Sequence, residues 1–169
     1  MGVSGRSLLQ PDLAVERLDE INLLKLWDEG KRGIIIDLDN TITRWNQDSL
    51  TVQAQTFIGN AIKQGYKLCL ISNASRKRTA QIAGRYNIPF VAPAFKPFKR
   101  PFLQAVQYLG LTNEQVLIIG DQIFTDVLGG NRANLYTVLV PPLERREFLW
   151  TRFMRILEKL IGRRIDHLQ

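Results

Sequence analysis

The sequence predicts an α/β fold of three layers, in which one parallel β-sheet lies between two layers of helices. Five short apolar runs recur along the 169 residues, and segments with helical periodicity separate them. The most apolar run, residues 33–37, carries three consecutive isoleucines, as is typical of a central strand buried on both faces. Strands that alternate with helices form a parallel sheet through right-handed crossovers. We therefore expect a five-stranded parallel sheet in a single domain.

The segments before that first strand carry weaker signals. Residues 1–11 are polar and contain glycine, so we expect a flexible N-terminus. Apolar residues recur between Asp12 and Asp28, and Gly30 follows them. Because glycine commonly occupies the position just after a helix, we predict a short helix here that ends near Glu29.

The middle of the chain has clearer boundaries. A helix is predicted over residues 52–64 with Gly65 as its end, and an apolar strand follows over residues 66–71. Ser75 is placed to cap a further helix over residues 76–86. The alternation of strand and helix therefore continues.

The second half repeats this pattern. Gly129 and Gly130 weaken one short helix by about 1 kcal/mol each relative to alanine, and close packing against a neighbouring element would explain the pair. The predicted elements are a strand over 88–94, a helix over 101–109 ended by Gly110, a strand over 116–120, the short helix over 125–134 and a strand over 135–140. The predicted domain spans residues 12–142.

Composition limits the compartment and the partners. Cys69 is the single cysteine and lies in an apolar run, which indicates a core residue in a reducing compartment. The N-terminus lacks an apolar signal segment and no uncharged run is long enough to span a membrane, so we expect a cytoplasmic protein. The net charge of +7 attracts anions such as phosphate esters or anionic lipid. No nucleic-acid-binding motif accompanies the scattered charges, so a nucleic acid partner is not expected.

Polar residues follow three predicted strands at their carboxyl ends, which is the edge where open α/β sheets bind ligands. Asp37 and Asp39 follow the first strand, Ser72 follows the second, and Asp121 follows the fourth. Clustered carboxylates would repel an anionic substrate, so a divalent cation is needed, and Mg²⁺ prefers such hard oxygen ligands. We assign Asp37 and Asp121 to this cation.

Several of these stretches resemble the motifs of the haloacid dehalogenase (HAD) superfamily. D-L-D-N-T at residues 37–41 resembles the first motif, and Ser72 the second. K-P-F-K-R-P at residues 96–101 and G-D-Q-I-F-T-D at residues 120–126 resemble the third and fourth motifs, in the correct order. The particular residues of the first and fourth motifs, with V-L-G-G-N after the fourth, are similar to those of the YqeG-like members of HAD subfamily IIIA. These members include phosphatidylglycerophosphate phosphatases.

The resemblance covers residues 33 to about 140 and implies an arrangement of the fold. The predicted strands take the order 5-4-1-2-3 in a HAD-like, Rossmannoid sheet, so that strands one, two and four end at one cleft. The segments 40–71 and 73–95 hold only a helix or two each, which leaves no room for a cap domain. An uncapped site suits large substrates or substrates presented at a surface.

The resemblance also implies catalytic roles. Asp37 attacks phosphorus and forms an aspartyl-phosphate, while Asp39 acts as general acid and then general base. Ser72 binds a phosphoryl oxygen. A lysine offsets the charge of Asp37 and of the transferring group; the candidates are Lys96 and Lys99, and the K-P-x-x-x-P pattern favours Lys96.

The metal set and the substrate contacts complete the predicted site. The family pattern adds the backbone carbonyl of Asp39 to the metal ligands. It also implies that Asp126 binds the metal through a water molecule or orients a neighbouring residue. Alternatively, Asp126 only begins a helix. Basic residues at the start of the helix over 76–86 oppose its macrodipole, a conflict that often marks an anion site. Trp45 either contacts substrate or covers the core. The predicted substrate contacts are Thr41, Asn73, Arg76 and Lys99, although Lys99 and Arg100 also fit a solvated surface.

Residues 143–169 predict a basic amphipathic helix, which lies in a membrane interface or else packs on the sheet or on a partner. Its apolar stripe comprises Leu149, Trp150, Phe153, Ile156, Leu157, Leu160 and Ile161. Together with the open site and the positive charge, this helix favours peripheral membrane association.

The predicted function is therefore that of a Mg²⁺-dependent phosphatase acting on phosphatidylglycerophosphate or a similar lipid phosphate. A small soluble substrate, such as a sugar or nucleotide phosphate, stays open. Asp39 favours phosphatase over dehalogenase or phosphonatase chemistry, because those relatives lack an acid at its position. A receiver-like signalling module also clusters acids, a hydroxyl and a lysine, but it carries its phosphoacceptor on a later strand.

Overall fold

The computed structural model describes residues 7–45 and 47–144, which form one parallel sheet with helices on both faces. The strand order is β1-β6-β5-β2-β3-β4, and every neighbouring pair is parallel. The central strand β2 therefore lies between β5 and β3. The strands are β1 (Leu13–Ala14), β2 (Gly33–Asp37), β3 (Lys67–Ile71), β4 (Phe90–Val91), β5 (Val116–Gly120) and β6 (Tyr136–Leu139).

Five α-helices connect these strands in the described residues, and their ends follow local capping chemistry. They are α1 (Leu23–Asp28), α2 (Val52–Gln64), α3 (Arg76–Tyr86), α4 (Lys99–Leu109) and α5 (Leu128–Arg132). The Thr51 and Ser75 side chains accept hydrogen bonds from the third backbone N–H of α2 and α3. Gly65 and Gly110 end α2 and α4 in the left-handed conformation that glycine adopts at low cost. The predicted bounds of α2 and α3 are confirmed.

The alternation of side chains along β2 divides the core into two clusters. Ile34 and Ile36 pack with residues of α2 and α3 on one face, and Ile35 packs with Phe102 and Ala105 of α4 on the other. All three isoleucines are fully buried. The prediction of a central strand covered on both faces is therefore confirmed.

The sheet has six strands where the sequence predicted five. The predicted strand order is confirmed for β6, β5, β2, β3 and β4, and the sixth strand, β1, pairs with β6 at the sheet edge. The prediction of one helix from Asp12 to about Glu29 is wrong at its start. The Asp12 carboxylate accepts a hydrogen bond from the Thr137 backbone N–H, so the edge of β6 draws this segment into the sheet. A 3₁₀ turn over Leu18–Glu20 precedes α1, whose end at Asp28 agrees with the prediction.

The predicted short helix over residues 125–134 is also modified. A π-helical segment, Ile123–Val127, comes first, and the regular helix α5 follows. Gly129 faces the ring of Phe102, and Gly130 faces Ile118 and Thr137, so neither position has room for a Cβ atom. The close packing that the glycine pair suggested is thus present.

We expect Gly129→Ala to lower the free energy of unfolding by about 1–3 kcal/mol, because the new methyl group would collide with the Phe102 ring. Gly59 provides a matched control, since it lies inside α2 with open space where its Cβ would be. Gly59→Ala should raise the free energy of unfolding by up to about 1 kcal/mol through helix propensity. Urea denaturation of both variants measures the difference, and shifts of the same sign and size would contradict this packing.

Candidate active site

The carboxyl ends of β2, β3 and β5 meet around one cavity of about 440 Å³. Asp37 is the last residue of β2, and Asp121 directly follows β5. Because parallel neighbours end at the same edge, the strand order alone brings these carboxylates together. The cavity is lined by Asp37, Asp39, Trp45, Asn73, Ala74, Arg78, Lys96, Gln122 and Thr125.

Three carboxylates form a compact cluster, and one of them, Asp37, lines this cavity. One oxygen from each of Asp37, Asp121 and Asp126 lies within 4.8 Å of the others. Asp37 and Asp126 are almost fully buried, and Asp121 is partly buried. The Thr41 hydroxyl lies 3.1 Å from Asp37 Oδ2 and 2.9 Å from Asp121 Oδ1, so it holds two of the three side chains in place.

The Lys96 ammonium neutralises part of this negative charge. Its Nζ atom lies 2.5 Å from Asp37 Oδ1 and 2.6 Å from Asp126 Oδ1, and all three side chains are buried. The Asn73 side chain accepts a hydrogen bond from the Lys96 backbone N–H, which fixes the loop that carries the lysine. The structure thus places Lys96, rather than the exposed Lys99, in contact with Asp37.

The remaining charge of the cluster fits a divalent cation. Three carboxylates and one ammonium leave a formal charge of −2 when all are ionised. Hard oxygen donors of this kind are what Mg²⁺ prefers, commonly with water and substrate oxygens completing its shell. Asp37, Asp121 and Asp126 are therefore the residues that would hold the metal.

Burial and mutual repulsion perturb the protonation of the cluster. Burial raises the pKa of Asp37 well above its ordinary value; Lys96 opposes this shift, while Asp126 and Asp121 reinforce it. Burial, followed by the Asp126 carboxylate, raises the pKa of Asp121 to about 6. Burial disfavours the charged form of Lys96, but the Asp126 and Asp37 carboxylates outweigh it and raise the pKa of the ammonium. A bound cation would stabilise the ionised carboxylates against this repulsion.

Asp126 owes its position to local backbone features. The π-helical segment over Ile123–Val127 carries it, and its Oδ2 atom accepts a hydrogen bond from the Gln122 backbone N–H. Its side chain packs over Gly120, where a Cβ atom would overlap it. Gly120 is thus a residue of the site to which the sequence analysis gave no role, although it begins the fourth motif and ends an otherwise aliphatic strand.

The Asp39 carboxylate lies apart from the metal cluster and has its own partners. Ser72 Oγ donates a hydrogen bond to Asp39 Oδ2 at 2.8 Å, and the Arg78 guanidinium forms an ion pair with Asp39 Oδ1. Arg78 also donates to the Gln47 carbonyl. Ser72 is fully buried and does not line the cavity, whereas Asp39 and Arg78 do. The predicted contact of Ser72 with a phosphoryl oxygen stays a prediction.

Sequence reasoning selected Arg76 from the basic start of α3, but Arg78 is the arginine that lines the cavity. Arg76 is exposed, with its guanidinium 5.4 Å from the centre of the Phe90 ring. Each helical residue is rotated by about 100° from the one before it, so Arg76 and Arg78, two positions apart, face nearly opposite directions. The predicted contacts of Arg76, Lys99, Asn73 and Thr41 with substrate stay predictions, as does the Asp39 carbonyl as a metal ligand.

Comparisons with known proteins agree on one family. A sequence profile described as HAD-hydrolase-like matches residues 94–142. The probable phosphatase YqeG of Bacillus subtilis is 36% identical over 151 residues, which cover 89% of this chain and 88% of that protein. The chloroplastic/mitochondrial phosphatidylglycerophosphate phosphatase 1 of Arabidopsis thaliana is 24% identical over 86% of this chain, and the chloroplastic one of Chlamydomonas reinhardtii 25% identical over 82%. This chain spans about half the length of these two, 44% and 55%.

Solved structures share the fold. A cobalt-bound deoxy-D-mannose-octulosonate 8-phosphate phosphatase from Haemophilus influenzae superposes with a TM-score of 0.56 at 19% identity, over 69% of this chain and 70% of that one. The magnesium-bound HAD-hydrolase YfnB from Bacillus subtilis superposes with a TM-score of 0.53 at 14% identity, over 70% of this chain and 96% of that one. At such identities the likeness shows the fold alone.

We expect Arg78→Ala to lower kcat/KM for a phosphate ester by about tenfold to a hundredfold, because Asp39 would lose the cation that holds its carboxylate in place. Arg85 supplies the control, since it lies on the same helix and donates to the Asp48 carbonyl outside the cavity. Arg85→Ala should leave kcat/KM within about twofold. Steady-state kinetics of both variants measure kcat/KM. Equal losses of kcat/KM in the two variants would show that Arg78 has no specific role in the site.

Proposed function

This chain belongs to the HAD-like phosphatases, and from that premise we propose that it is a magnesium-dependent phosphomonoester hydrolase with Asp37 as its nucleophile. The observation that supports this most directly is the buried cluster in which Lys96 contacts both Asp37 and Asp126 beside Asp121. A cluster with a formal charge of −2, of which Asp37 and Lys96 line a cavity, suits a divalent cation and a phosphate ester together.

In the first half of the reaction, Asp37 acts on the substrate phosphorus. A carboxylate oxygen of Asp37 forms the new P–O bond while the bond to the leaving oxygen breaks, which produces an aspartyl-phosphate and an alcohol. Asp39 enters this half protonated and gives that proton to the leaving oxygen, which leaves it ionised. Ser72 and Arg78 contact its two oxygens and hold the carboxyl group beside the cavity.

In the second half, water hydrolyses the acyl phosphate. Asp39, now ionised, removes a proton from the water, whose oxygen attacks phosphorus and releases Asp37 and inorganic phosphate. Lys96 stays against Asp37 throughout and offsets the charge that develops on the phosphoryl group. Bound Mg²⁺ supplies Lewis-acid stabilisation of the phosphoryl oxygens.

For the substrate, we propose a phospholipid phosphomonoester, with phosphatidylglycerophosphate as the first candidate. In the described residues, the segments between β2 and β3 and between β3 and β4 hold only α2 and α3, so no cap domain covers the cavity. An open cavity admits a headgroup whose acyl chains stay in a bilayer. Two relatives carry the name phosphatidylglycerophosphate phosphatase, which supports this substrate class.

Peripheral association with a membrane would bring such a substrate to the site. Among the described residues, none of the helices has the length and apolarity needed to cross a bilayer. The amphipathic helix predicted over residues 143–169 lies almost entirely outside the described residues, so its membrane role stays a prediction. The net charge of +7 favours approach to anionic lipids.

We expect Asp37→Asn to lower turnover by at least about 1,000-fold, because an amide oxygen is too weak a nucleophile to form the phosphoryl intermediate. The change is nearly isosteric and removes one of the mutually repelling carboxylates, so the melting temperature should not fall. Asp28→Asn, on the exposed end of α1, is the matched control and should keep full activity. A folded Asp37→Asn protein that turns over normally would refute the covalent mechanism.

A substrate screen with metal control tests the remaining parts of the proposal. We expect hydrolysis of phosphatidylglycerophosphate in mixed micelles to exceed that of soluble sugar and nucleotide phosphates by at least about tenfold in kcat/KM. Activity should disappear in EDTA and return with Mg²⁺, because the ionised cluster repels an anionic substrate until a cation is bound. A preference for a soluble ester would reject the lipid substrate alone, whereas full activity after complete metal removal would reject the metal role.

A further inference from the structure

Two exposed phenylalanines flank the lysine of the active site. Phe95 and Phe98 are 66% and 68% exposed, although phenylalanine is usually buried. The Phe98 backbone N–H donates to the Phe95 carbonyl at 3.2 Å, so residues 95–98 form one tight turn, which we call the aromatic turn. Lys96, inside this turn, reaches Asp37, which lines the cavity. Both phenylalanines therefore belong to the turn that carries a cavity-lining lysine, although neither lines the cavity itself.

The backbone of Phe95 is one that phenylalanine rarely adopts. Its φ angle is 50°, in the left-handed region where asparagine and glycine are preferred and a bulky side chain is strained. Its ring gains little from burial in return, since most of it is exposed. Folding stability therefore does not explain a phenylalanine at this position.

Phe98 occupies a second unfavourable position. It is the N-cap residue of α4, and its side chain makes no capping hydrogen bond. Serine, threonine, aspartate and asparagine are preferred there because their side chains accept a bond from the first turn. Two departures from local preference within one turn, both at exposed residues and close in sequence to Lys96, are typical of a functional surface.

The charge around the aromatic turn indicates what it contacts. Lys99 and Arg100 follow it directly, and both are exposed. Aromatic rings together with lysine and arginine characterise segments that lie at the interface of a bilayer with anionic headgroups. The chain as a whole carries a net charge of +7, so long-range electrostatic attraction also favours an anionic bilayer.

We propose that the aromatic turn inserts Phe95 and Phe98 into the interfacial layer of an anionic lipid bilayer, while Lys99 and Arg100 contact headgroup phosphates. This docking deepens the proposed function and rests on it for its purpose, since Lys96 in the same turn would bring the cavity to the lipid surface. The turn thus identifies a membrane-docking surface within the described domain that does not depend on the C-terminal segment.

The test compares the double variant Phe95→Asn/Phe98→Ser with the unaltered full-length chain. Asparagine suits the left-handed backbone at position 95 and serine suits the N-cap at position 98, so the melting temperature should stay the same or rise. The control is Leu24→Asn/Ile62→Ser, which removes exposed apolar side chains (63% and 53% exposed) from α1 and α2 without touching the cavity lining. Each protein is floated with vesicles of phosphatidylglycerol and phosphatidylcholine, and with phosphatidylcholine alone.

We expect the aromatic-turn variant to associate with anionic vesicles at least about tenfold more weakly than the unaltered chain, and the control within about twofold. Hydrolysis of soluble p-nitrophenyl phosphate should be unchanged, because neither phenylalanine belongs to the cavity lining. Equal association of variant and unaltered chain, or no association of either, would overturn the proposal. A parallel loss of soluble turnover would also overturn it, since it would assign the effect to a displaced Lys96.

Hydrolysis of a lipid phosphate in the same vesicles separates this proposal from the proposed function. Association that depends on the aromatic turn, without hydrolysis of lipid phosphate by the unaltered chain, would support docking and reject the lipid substrate. Equal hydrolysis of vesicle lipid by the unaltered chain and the variant would support the lipid substrate and reject docking. When both hold, the variant loses vesicle hydrolysis at least about tenfold and keeps soluble turnover.

Discussion

The ion pairs of the buried Lys96 ammonium with Asp37 and Asp126 are the interaction on which the site depends. A charge buried in this way is costly unless each partner is paired, so none of the three groups is tolerable alone. The partners lie 59 and 30 positions from Lys96 in the sequence, which ties the end of β2, the loop after β4 and the segment after β5 to one point. The sheet supplies the scaffold, and these ion pairs fix the positions of the three side chains at its edge.

Several local irregularities of the chain follow from that requirement. The π-helical segment over Ile123–Val127 carries Asp126 towards the lysine, and Gly120 lacks the side chain that would block it. The left-handed residue Phe95 directly precedes Lys96, and Asn73 binds the backbone of the lysine itself. π-Helical segments and left-handed residues are less stable than regular structure, and they concentrate where function needs a particular placement of side chains.

The charge of the active-site cluster is opposite in sign to the net charge of the whole sequence. The cluster of Asp37, Asp121, Asp126 and Lys96 has a formal charge of −2, whereas the whole chain has a net charge of +7. A negative cluster suits a cation, and a net positive charge favours the approach of an anionic ligand. Asp39, the proposed acid–base group, forms its ion pair with Arg78, whereas Asp37 and Asp126 form theirs with Lys96.

The sequence by itself determined the elements whose signals are local. The bounds of α2 and α3 follow from their capping residues, and the aliphatic run of β2 identifies the central strand, so Asp37 and Asp121 could be placed at strand ends. The existence of β1 depends on the tertiary structure, because its two residues form a strand only by pairing with the edge strand β6. The tertiary structure also decided that Arg78 rather than Arg76 faces the cavity, since the rotation of α3 against the sheet is set by packing. Local patterns fix secondary structure and chemical type, whereas which side chains meet depends on contacts between segments far apart in the sequence.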